Sequence, residues 1–295
     1  MKKTILIGLL FFGSLSVCQS QEWMTSLDVA KSLAFVQDKL LFVIWEDVSY
    51  QEFHVIVKKE NGTPEVVNLF ENEILNEIIW EHFVPVIISE HNYQALFNEI
   101  KGKRSQLYID KFNDDTIKIM DINGQIINTT LEYYDYLDIA EFIAKYALNT
   151  SFLKEELAFY REQQDFNSAY HLASQYADFS VHVNDDVKPE IVKLSNYYLS
   201  EAEGFIANDN SVILKQKIEL QKIKQALVLG KAKKVLRQLK RIDSAKVDAS
   251  NEALFAFLNF TAYILLKDET NASIWRSKVS LVNLKKANLI VKNNS

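Results

Sequence analysis

A short polar stretch after an apolar run holds the residues whose types and spacing best suit chemistry. Positions 40–45 read LLFVIW, and Glu46, Asp47 and Ser49 follow directly. The loop at the end of a buried strand is where many α/β proteins place reacting groups. Neighbouring carboxylates there could bind a cation or raise one another's pKa values. The alternative is a solvated acidic loop that carries out no reaction.

Ser49 also has to be considered as a nucleophile, because His54 follows it by five residues. A serine hydroxyl reacts only when a base takes its proton. Five residues correspond to roughly one helical turn, but neither an oxyanion motif nor an acid at a suitable spacing accompanies the pair. We therefore expect Ser49 to cap the start of a helix.

The remaining metal and cofactor signals are weak. The histidines outside this stretch stand at His82, His91, His171 and His182, without the spacing of metal ligands. Asp121 and Asn123 match two positions of a calcium-binding loop, but the other ligands and the distal glutamate are missing. Gly124 after Asn123 is typical of a turn instead. The sequence also has no glycine-rich phosphate loop, so we expect no metal and no cofactor.

The N-terminus predicts export. Residues 1–21 begin with two lysines at positions 2 and 3, continue with an apolar run and end in small and polar residues. This order is typical of a secretory signal peptide, and the apolar run is too short to span a membrane. We expect cleavage after Ser20 or Gln21, and a periplasmic or secreted protein. In the alternative interpretation, residues 15–18 form a lipobox and Cys18 carries a lipid, which would place the protein on a membrane.

Cys18 is the single cysteine of the chain. Cleavage beyond it leaves a mature chain without any thiol, which excludes disulfides, dithiol exchange, cysteine nucleophiles and thiolate metal sites. A protein exported without disulfides needs a large hydrophobic core. With 295 residues, 48% of them hydrophobic, the chain can supply one, and its length fits two domains.

Charge divides the chain into two parts near residue 150. Residues 21–150 hold 10 Lys and Arg against 22 Asp and Glu, whereas residues 151–295 hold 21 against 17. The pattern of elements changes at the same place. We predict an α/β domain over residues 22–150 and an all-helical domain over residues 151–295.

Hydrophobic periodicity predicts alternating helices and strands in the first part. Helices are predicted at 26–37, 49–59, 71–80, 93–100 and 136–147. Strands are predicted at 40–45, 83–88 and 107–109, with a hairpin of 116–120 and 125–127. The Asn123-Gly124 turn is the strongest of these local signals.

The second part shows helical patterns only. Helices are predicted at 152–163, 166–181, 189–207, 212–229, 232–241, 252–267 and 274–291. Their lengths and the short breaks between them favour stacked helical hairpins, although no exact repeat period is present.

A basic stretch lies within this helical part. Residues 215–246 hold eleven Lys and Arg against Glu219 and Asp243. No aromatic residue lies between Lys215 and Lys246 to stack on bases, so we expect no nucleic-acid partner. The alternatives are a solvated helix face, docking onto the acidic first part, and an acidic partner protein.

Several motifs of the first part match one known family. Trp23 opens the segment, Ala30 and Ala34 lie in its first helix, and Asp38-Lys39 precedes LLFVIW. EHFVPVIIS at 81–89 looks like that family's second strand, and DTIKIMDINGQII at 115–127 looks like its closing hairpin. Residues 22–148 thus resemble a thioredoxin-like domain of the secreted bacterial type.

The resemblance points to a groove and also removes its usual chemistry. Where the family carries Cys-x-x-Cys, this chain carries Asp47-Val48-Ser49-Tyr50, and Asp115 beside Thr116 stands where the family has its cis-proline. The candidate groove residues that the resemblance implies are Trp45, Glu46, Asp47, Ser49, Tyr50, Asp115 and Thr116. Dithiol exchange needs two thiols, so we expect a redox-inactive domain.

Two functions follow from the sequence as expectations. The first is an exported, non-catalytic binding or scaffold protein of the bacterial envelope, whose partner is an envelope protein or a peptide. The second is an enzyme, cysteine-independent or metal-dependent, centred on Glu46, Asp47 and Asp115.

The absence of thiols gives a direct prediction. We expect the mature protein to show no turnover in an insulin-reduction assay, because neither a hydroxyl nor a carboxylate can replace the attacking and resolving thiols. Clear thiol-disulfide activity would contradict the interpretation of this domain as redox-inactive.

Overall fold

A computed structural model describes residues 21–59, 61–130, 138–208 and 211–294. Residues 1–20 of the predicted signal peptide, with Cys18 and Ser20, lie outside the described residues. Within the described ranges, no helix has both the length and the apolar character needed to cross a membrane. The N-terminal region is α/β and the C-terminal region is helical.

The α/β region contains helices α1 to α6 and strands β1 to β5. The helices are α1 Leu27–Gln37, α2 Glu46–Ser49, α3 Glu73–His82, α4 Tyr93–Ile100, α5 Gln106–Asn113 and α6 Ile139–Tyr146. The strands are β1 Leu40–Trp45, β2 His54–Lys58, β3 Pro64–Asn68, β4 Phe83–Ile88 and β5 Lys118–Met120.

Strand β1 is the centre of the main sheet. Each of its six residues is buried, as a continuous apolar run predicts for a strand covered on both faces. It pairs parallel with β4 and antiparallel with β5, which gives the strand order β4-β1-β5. The segment at Met24 adds a parallel bridge to Val86 on the outer side of β4.

The Asn123-Gly124 turn is confirmed. Gly124 has φ 81°, a left-handed conformation that suits glycine. Asp121 donates its backbone N–H to the Gln125 carbonyl at 3.0 Å, and Ile126 bridges to Met120 in antiparallel fashion. Strand β5 begins at Lys118, two residues later than predicted.

The helix predicted at 49–59 is wrong. Helix α2 ends at Ser49, and residues 54–58 form β2, which pairs antiparallel with β3 in a separate two-stranded sheet. The β-branched run Val55-Ile56-Val57 favours a strand, and Asn61-Gly62 turns the chain into β3. The turn closes with a hydrogen bond from the Gly62 N–H to the Lys59 carbonyl at 2.8 Å.

Two further predictions need correction. The strand predicted at 107–109 is part of α5, because the Ser105 hydroxyl caps the N–H of Tyr108 and starts a helix there. The helix predicted at 274–291 is divided into two helices, and the second starts where Ser280 accepts the Asn283 N–H at 3.2 Å. In both places a serine that caps a helix marks where the helix begins.

Helices α7 to α14 form the C-terminal region. They are α7 Lys154–Glu162, α8 Phe166–Phe179, α9 Lys188–Phe205, α10 Val212–Val228, α11 Ala232–Leu239, α12 Glu252–Leu265, α13 Glu269–Arg276 and α14 Leu281–Lys292. Each helix from α7 to α12 packs against the next one. The predicted helices over 152–267 are confirmed within a few residues at their ends, and the helix predicted at 136–147 corresponds to α6, although its first two residues lie outside the described ranges.

The hydrophobic core continues across residue 150. One cluster of buried side chains joins the main sheet to α7, α8, α9 and the start of α10, and includes Phe42, Leu157 and Tyr198. A second cluster is built from the rest of α10 together with α11 to α14, and it also includes Val192 of α9 and Val181. The boundary between domains at residue 150 stays a prediction.

A buried ionic group fastens three helices of the C-terminal region. The Asp178 carboxylate of α8 lies 2.8 Å from Lys224 Nζ of α10 and 2.6 Å from Lys286 Nζ of α14. Burial alone would raise the pKa of Asp178, but the two ammonium groups together lower it below its ordinary value. The ionised carboxylate therefore contributes stability that is lost as the pH falls through its lowered pKa.

We expect Asp178→Ala to lower the free energy of unfolding by about 3 kcal/mol, because it leaves the buried Lys224 ammonium without its counter-ion. Urea denaturation at neutral pH measures the loss. The exposed Asp186→Ala is the matched control and should change stability by about 0.5 kcal/mol or less. A loss for Asp178→Ala as small as that of the control would contradict the role of this group.

Candidate functional site

The end of β1 does not present all of its predicted groove residues to solvent. Trp45 is buried, its indole Nε1 donates to the Phe112 carbonyl at 2.8 Å, and the two rings meet edge to face. The side chain therefore packs α5 against the sheet. Tyr50 is 75% exposed, and its hydroxyl donates to Glu46 Oε1 at 2.9 Å.

Ser49 occupies a different position from the expected one. It is the last residue of α2, and its hydroxyl donates to the backbone carbonyl of Glu46 at 2.7 Å. The helix-cap prediction is wrong because the chain turns into β2 instead of continuing as a helix. His54 lies on β2 and pairs with Glu52 at 3.2 Å, so the geometry shows no Ser49–His54 contact.

Acidic side chains do gather beside this strand end. Burial raises the pKa of the Glu90 carboxyl, and the charges of Asp47, Asp115 and Glu46 raise it further. The Glu90 carboxylate also accepts the backbone N–H of Asp47. Among the described residues, however, no set of three or more His, Cys, Asp or Glu side chains is arranged to hold a metal ion.

Thr116 belongs to a buried polar cluster behind this loop. Its hydroxyl bonds to Asp114 Oδ1 at 2.8 Å and accepts from Lys111 Nζ. Lys118 is fully buried, and its Nζ lies 3.1 Å from the same carboxylate. Burial lowers the pKa of Lys111 to about 8. These contacts hold the chain between α5 and β5. The carboxylate that Thr116, Lys111 and Lys118 share is that of Asp114, whereas the sequence predicted a role for Asp115.

A larger concave site lies at the junction of the α/β and helical regions. It is a cleft of about 950 Å³. Its α/β wall includes Lys103, Arg104, Tyr108, Gln125, Ile126 and Thr129, and its helical wall includes Glu190, Val192, Lys193, Tyr197, Ser200 and Lys231. This volume falls within the range of clefts that bind ligands in proteins.

Asp121 is buried behind the cleft and forms hydrogen bonds with both the α/β region and the helical region. Its Oδ1 accepts the backbone N–H groups of Asn123 and Gln125, both at 2.9 Å. Its Oδ2 accepts the hydroxyls of Tyr176 at 3.0 Å and Tyr198 at 2.5 Å. Burial raises the pKa of the carboxyl, although all four hydrogen bonds act in the opposite direction.

A second buried carboxylate reaches in the opposite direction across the junction. Glu190 of α9 accepts the Thr130 hydroxyl at 2.6 Å and the Tyr146 hydroxyl at 2.7 Å. Glu190 of the helical region thus accepts hydroxyls of the α/β region, and Asp121 of the α/β region accepts hydroxyls of the helical region. Charge-assisted bonds of this kind fix the relative position of the walls.

Arg104 is a partly buried cation of the cleft wall. Its Cζ lies 3.3 Å from the centre of the Tyr197 ring, and its Nη2 donates to Gln125 Oε1 at 2.9 Å. The nearby Glu201 carboxylate accepts the hydroxyls of Tyr160 and Tyr197. No carboxylate of the described chain lies within 4.0 Å of the guanidinium.

The cleft is basic. Six cationic side chains line it, against the carboxylates of Glu190 and Glu201. Three of the six, Lys222, Lys231 and Lys234, come from the basic stretch at 215–246. Where this stretch makes ion pairs in the described chain, the partners are acids of the helical region itself, so no ion pair docks it onto the acidic α/β region.

Comparison with known protein families, curated proteins and solved structures finds no match to this chain.

Sequence reasoning missed the cleft residues. Arg104 follows Gly102 in a loop between two helices and has no motif spacing. The sequence predicts that Asp121 belongs to a turn, and its Oδ1 does bond to backbone N–H groups of that turn. The contacts of Oδ2 with the tyrosine hydroxyls were not predicted. One signal in the sequence could have pointed to the cleft, namely the tyrosines at 160, 176, 197 and 198 in predicted helices. A buried tyrosine needs a hydrogen-bond partner for its hydroxyl, so such a group of tyrosines indicates buried polar contacts.

Asp121→Ala should lower the free energy of unfolding by at least about 3 kcal/mol, because each buried donor left without its acceptor costs about 1–3 kcal/mol. Chemical denaturation measures the effect. The exposed Asp115→Ala is the control and should stay within about 0.5 kcal/mol of the unaltered protein. An equal effect of the two changes would contradict the central place of Asp121.

Asp121→Asn tests the titration of the same group. Between the unfolded-state pKa of about 3.9 and the raised native pKa, the folded protein binds the extra proton, so the contribution of Asp121 to stability falls as pH rises. We expect the stability of the unaltered protein, relative to Asp121→Asn, to increase as pH is lowered through this interval. A pH-independent difference between the two proteins would show that the native pKa is not raised.

Proposed function

We propose that this protein is an exported, non-catalytic binding protein of the bacterial envelope that holds its partner in the junction cleft. The observation that carries the proposal is the cleft itself. It has walls from both regions, and buried carboxylates fix those walls from below through Asp121 and Glu190. A site pre-organised in this way loses little conformational entropy when a partner binds.

The α/β region is proposed to be a thioredoxin-like domain without redox function. The strand order β4-β1-β5, with β4 parallel and β5 antiparallel to the central strand, supports this proposal. The antiparallel return at Ile126 supports it as well. At the end of β1, where such a domain carries its dithiol, stand Asp47, Ser49 and Tyr50.

The strand end itself favours binding over catalysis. The Ser49 hydroxyl is bonded to a backbone carbonyl, and the Glu46 carboxylate is bonded to Tyr50. A nucleophile needs a base within hydrogen-bond distance, and Ser49 has a carbonyl there instead. The alternative of an enzyme centred on Glu46, Asp47 and Asp115 stays a hypothesis, supported by the gathering of acids around Glu90.

Site-specific photo-crosslinking tests the proposal. A photo-reactive amino acid replaces Ser200, an exposed residue of α9 that lines the cleft. The full chain is expressed in cells that naturally produce it and is then irradiated. We expect a discrete adduct, because an occupant of the cleft lies within reach of this side chain.

Ser273 of α13 provides a matched control. It is also an exposed helical serine, and like Ser200 it donates its hydroxyl to a carbonyl of its own helix. It does not line the cleft. An adduct at Ser200 that is missing at Ser273 supports binding in the cleft. No adduct at Ser200, or the same adducts at both positions, would refute it.

A further inference from the structure

Helix α11 presents a dense basic surface. Within residues 231–241, six cationic side chains are exposed: Lys231, Lys233, Lys234, Arg237, Lys240 and Arg241. The segment contains no acidic residue. In the described chain, none of the six lies within ion-pair distance of a carboxylate. We call these six residues the basic face.

Packing fixes the direction of the basic face. Val235, Leu236 and Leu239 are buried in the second core cluster and Ala232 is also buried, so the opposite side of α11 has to face solvent. Like charges this close repel one another and destabilise the helix slightly. In the described chain the Asp268 carboxylate attracts Lys240 from beyond ion-pair distance, and the repulsion among the other cations is one that an anionic partner would relieve.

The basic face continues into the cleft. Lys231 and Lys234 belong to both, and Lys103 and Lys193 stand on the cleft rim. Arg104 extends the positive charge inward, where Tyr197 shields one face of the guanidinium. Cations thus run from the exposed helix to the interior of the site. A concave surface of one sign concentrates oppositely charged ligands.

We infer that the cleft and the basic face together bind an acidic peptide segment of a partner protein. This inference rests on the proposed binding function and specifies its ligand. Carboxylates of the peptide pair with the lysines at the rim, and one carboxylate reaches Arg104. A guanidinium is well suited to carboxylate because its planar donors match the two oxygens.

Features of the cleft interior favour a peptide over other anions. Ile126, Val192 and Leu229 provide apolar surface for side chains between the acidic residues. Asn196 and Ser200 offer amide and hydroxyl groups at the rim that can bond to a peptide backbone. Ligand sites commonly combine an apolar lining with a few polar groups in this way.

Membranes and nucleic acids fit the basic face less well. A helix that binds a bilayer inserts an apolar face, whereas the apolar face of α11 is buried in the core. Proteins that bind single-stranded nucleic acid commonly stack bases on aromatic side chains, and the basic face has none, because the stretch from Lys215 to Lys246 contains no aromatic residue. An extended acidic peptide needs neither feature.

Fluorescence anisotropy with defined probes tests the inference on the full chain. The probe is a fluorescein-labelled peptide in which glutamate alternates with leucine, and the comparison peptide has glutamine in place of every glutamate. We expect binding of the glutamate peptide only, with an affinity that falls as NaCl is raised. Equal binding of the glutamine peptide would overturn the inference. So would preferential binding of anionic vesicles or single-stranded DNA over the glutamate peptide.

Charge reversal locates the binding surface. Lys231→Glu with Lys234→Glu should weaken binding of the glutamate peptide by about tenfold or more. Lys285→Glu with Lys292→Glu makes the same charge change on the exposed side of α14 and should alter binding by less than about twofold. Equal losses in the two double variants would mean that net charge alone attracts the peptide, and would overturn the inference.

Arg104→Gln removes the inner charge and keeps a side chain that can donate a hydrogen bond. We expect a loss of affinity of about tenfold or more in a protein that still unfolds in one cooperative transition, with a loss of stability of no more than about 2 kcal/mol from the contact with Tyr197. Unchanged affinity would overturn the role of Arg104 as inner anchor. The photo-crosslink at Ser200 distinguishes failure of this inference from failure of the proposed function. If the adduct forms but the glutamate peptide does not bind, only the acidic ligand is refuted. If no adduct forms, the proposed binding function is refuted as well.

Discussion

The junction depends on one buried carboxylate, that of Asp121. One of its oxygens accepts N–H groups of its own turn, and the other accepts hydroxyls of Tyr176 and Tyr198 from the helical region. The conformation of the turn and the position of α8 and α9 are thereby specified by the same group. Because an unsatisfied buried carboxylate is costly, neither side can shift independently. The geometry of the cleft above it follows from this constraint.

The cleft combines rigid support with a charged opening. Glu190 and Asp121 reach across the junction in opposite directions, and each accepts hydroxyl groups from the other region. The Glu201 carboxylate accepts hydroxyl groups as well, from Tyr160 and Tyr197. Six cationic side chains line the cleft against the two carboxylates of Glu190 and Glu201, so positive charge dominates the field that a ligand meets. The tyrosine hydroxyls satisfy these acids and position the walls of the cleft.

Local signals were sufficient for much of the fold. LLFVIW, FVPVII and the Asn123-Gly124 turn each carry their structure in neighbouring residues, and the structure has them there. The segment at 49–59 was mistaken because a few apolar residues fit a helix and a strand equally well, and pairing with β3 decided between them. The cleft could not be predicted, because Asp121 meets tyrosines 55 and 77 residues away. Among the predicted groove residues, Glu46, Asp47 and Asp115 lie near one another around Glu90, whereas Trp45 is buried in the hydrophobic core.

The continuity of the hydrophobic core across residue 150 has a consequence for how the chain can exist. Leu153 and Leu157 are buried in the same cluster as the sheet residues Leu41 and Phe83. A break in the chain between the regions would leave apolar surface on both fragments, which favours aggregation or proteolysis over independent folding. The shared cluster therefore couples the folding of the two regions, so that a cut between them is expected to destabilise both.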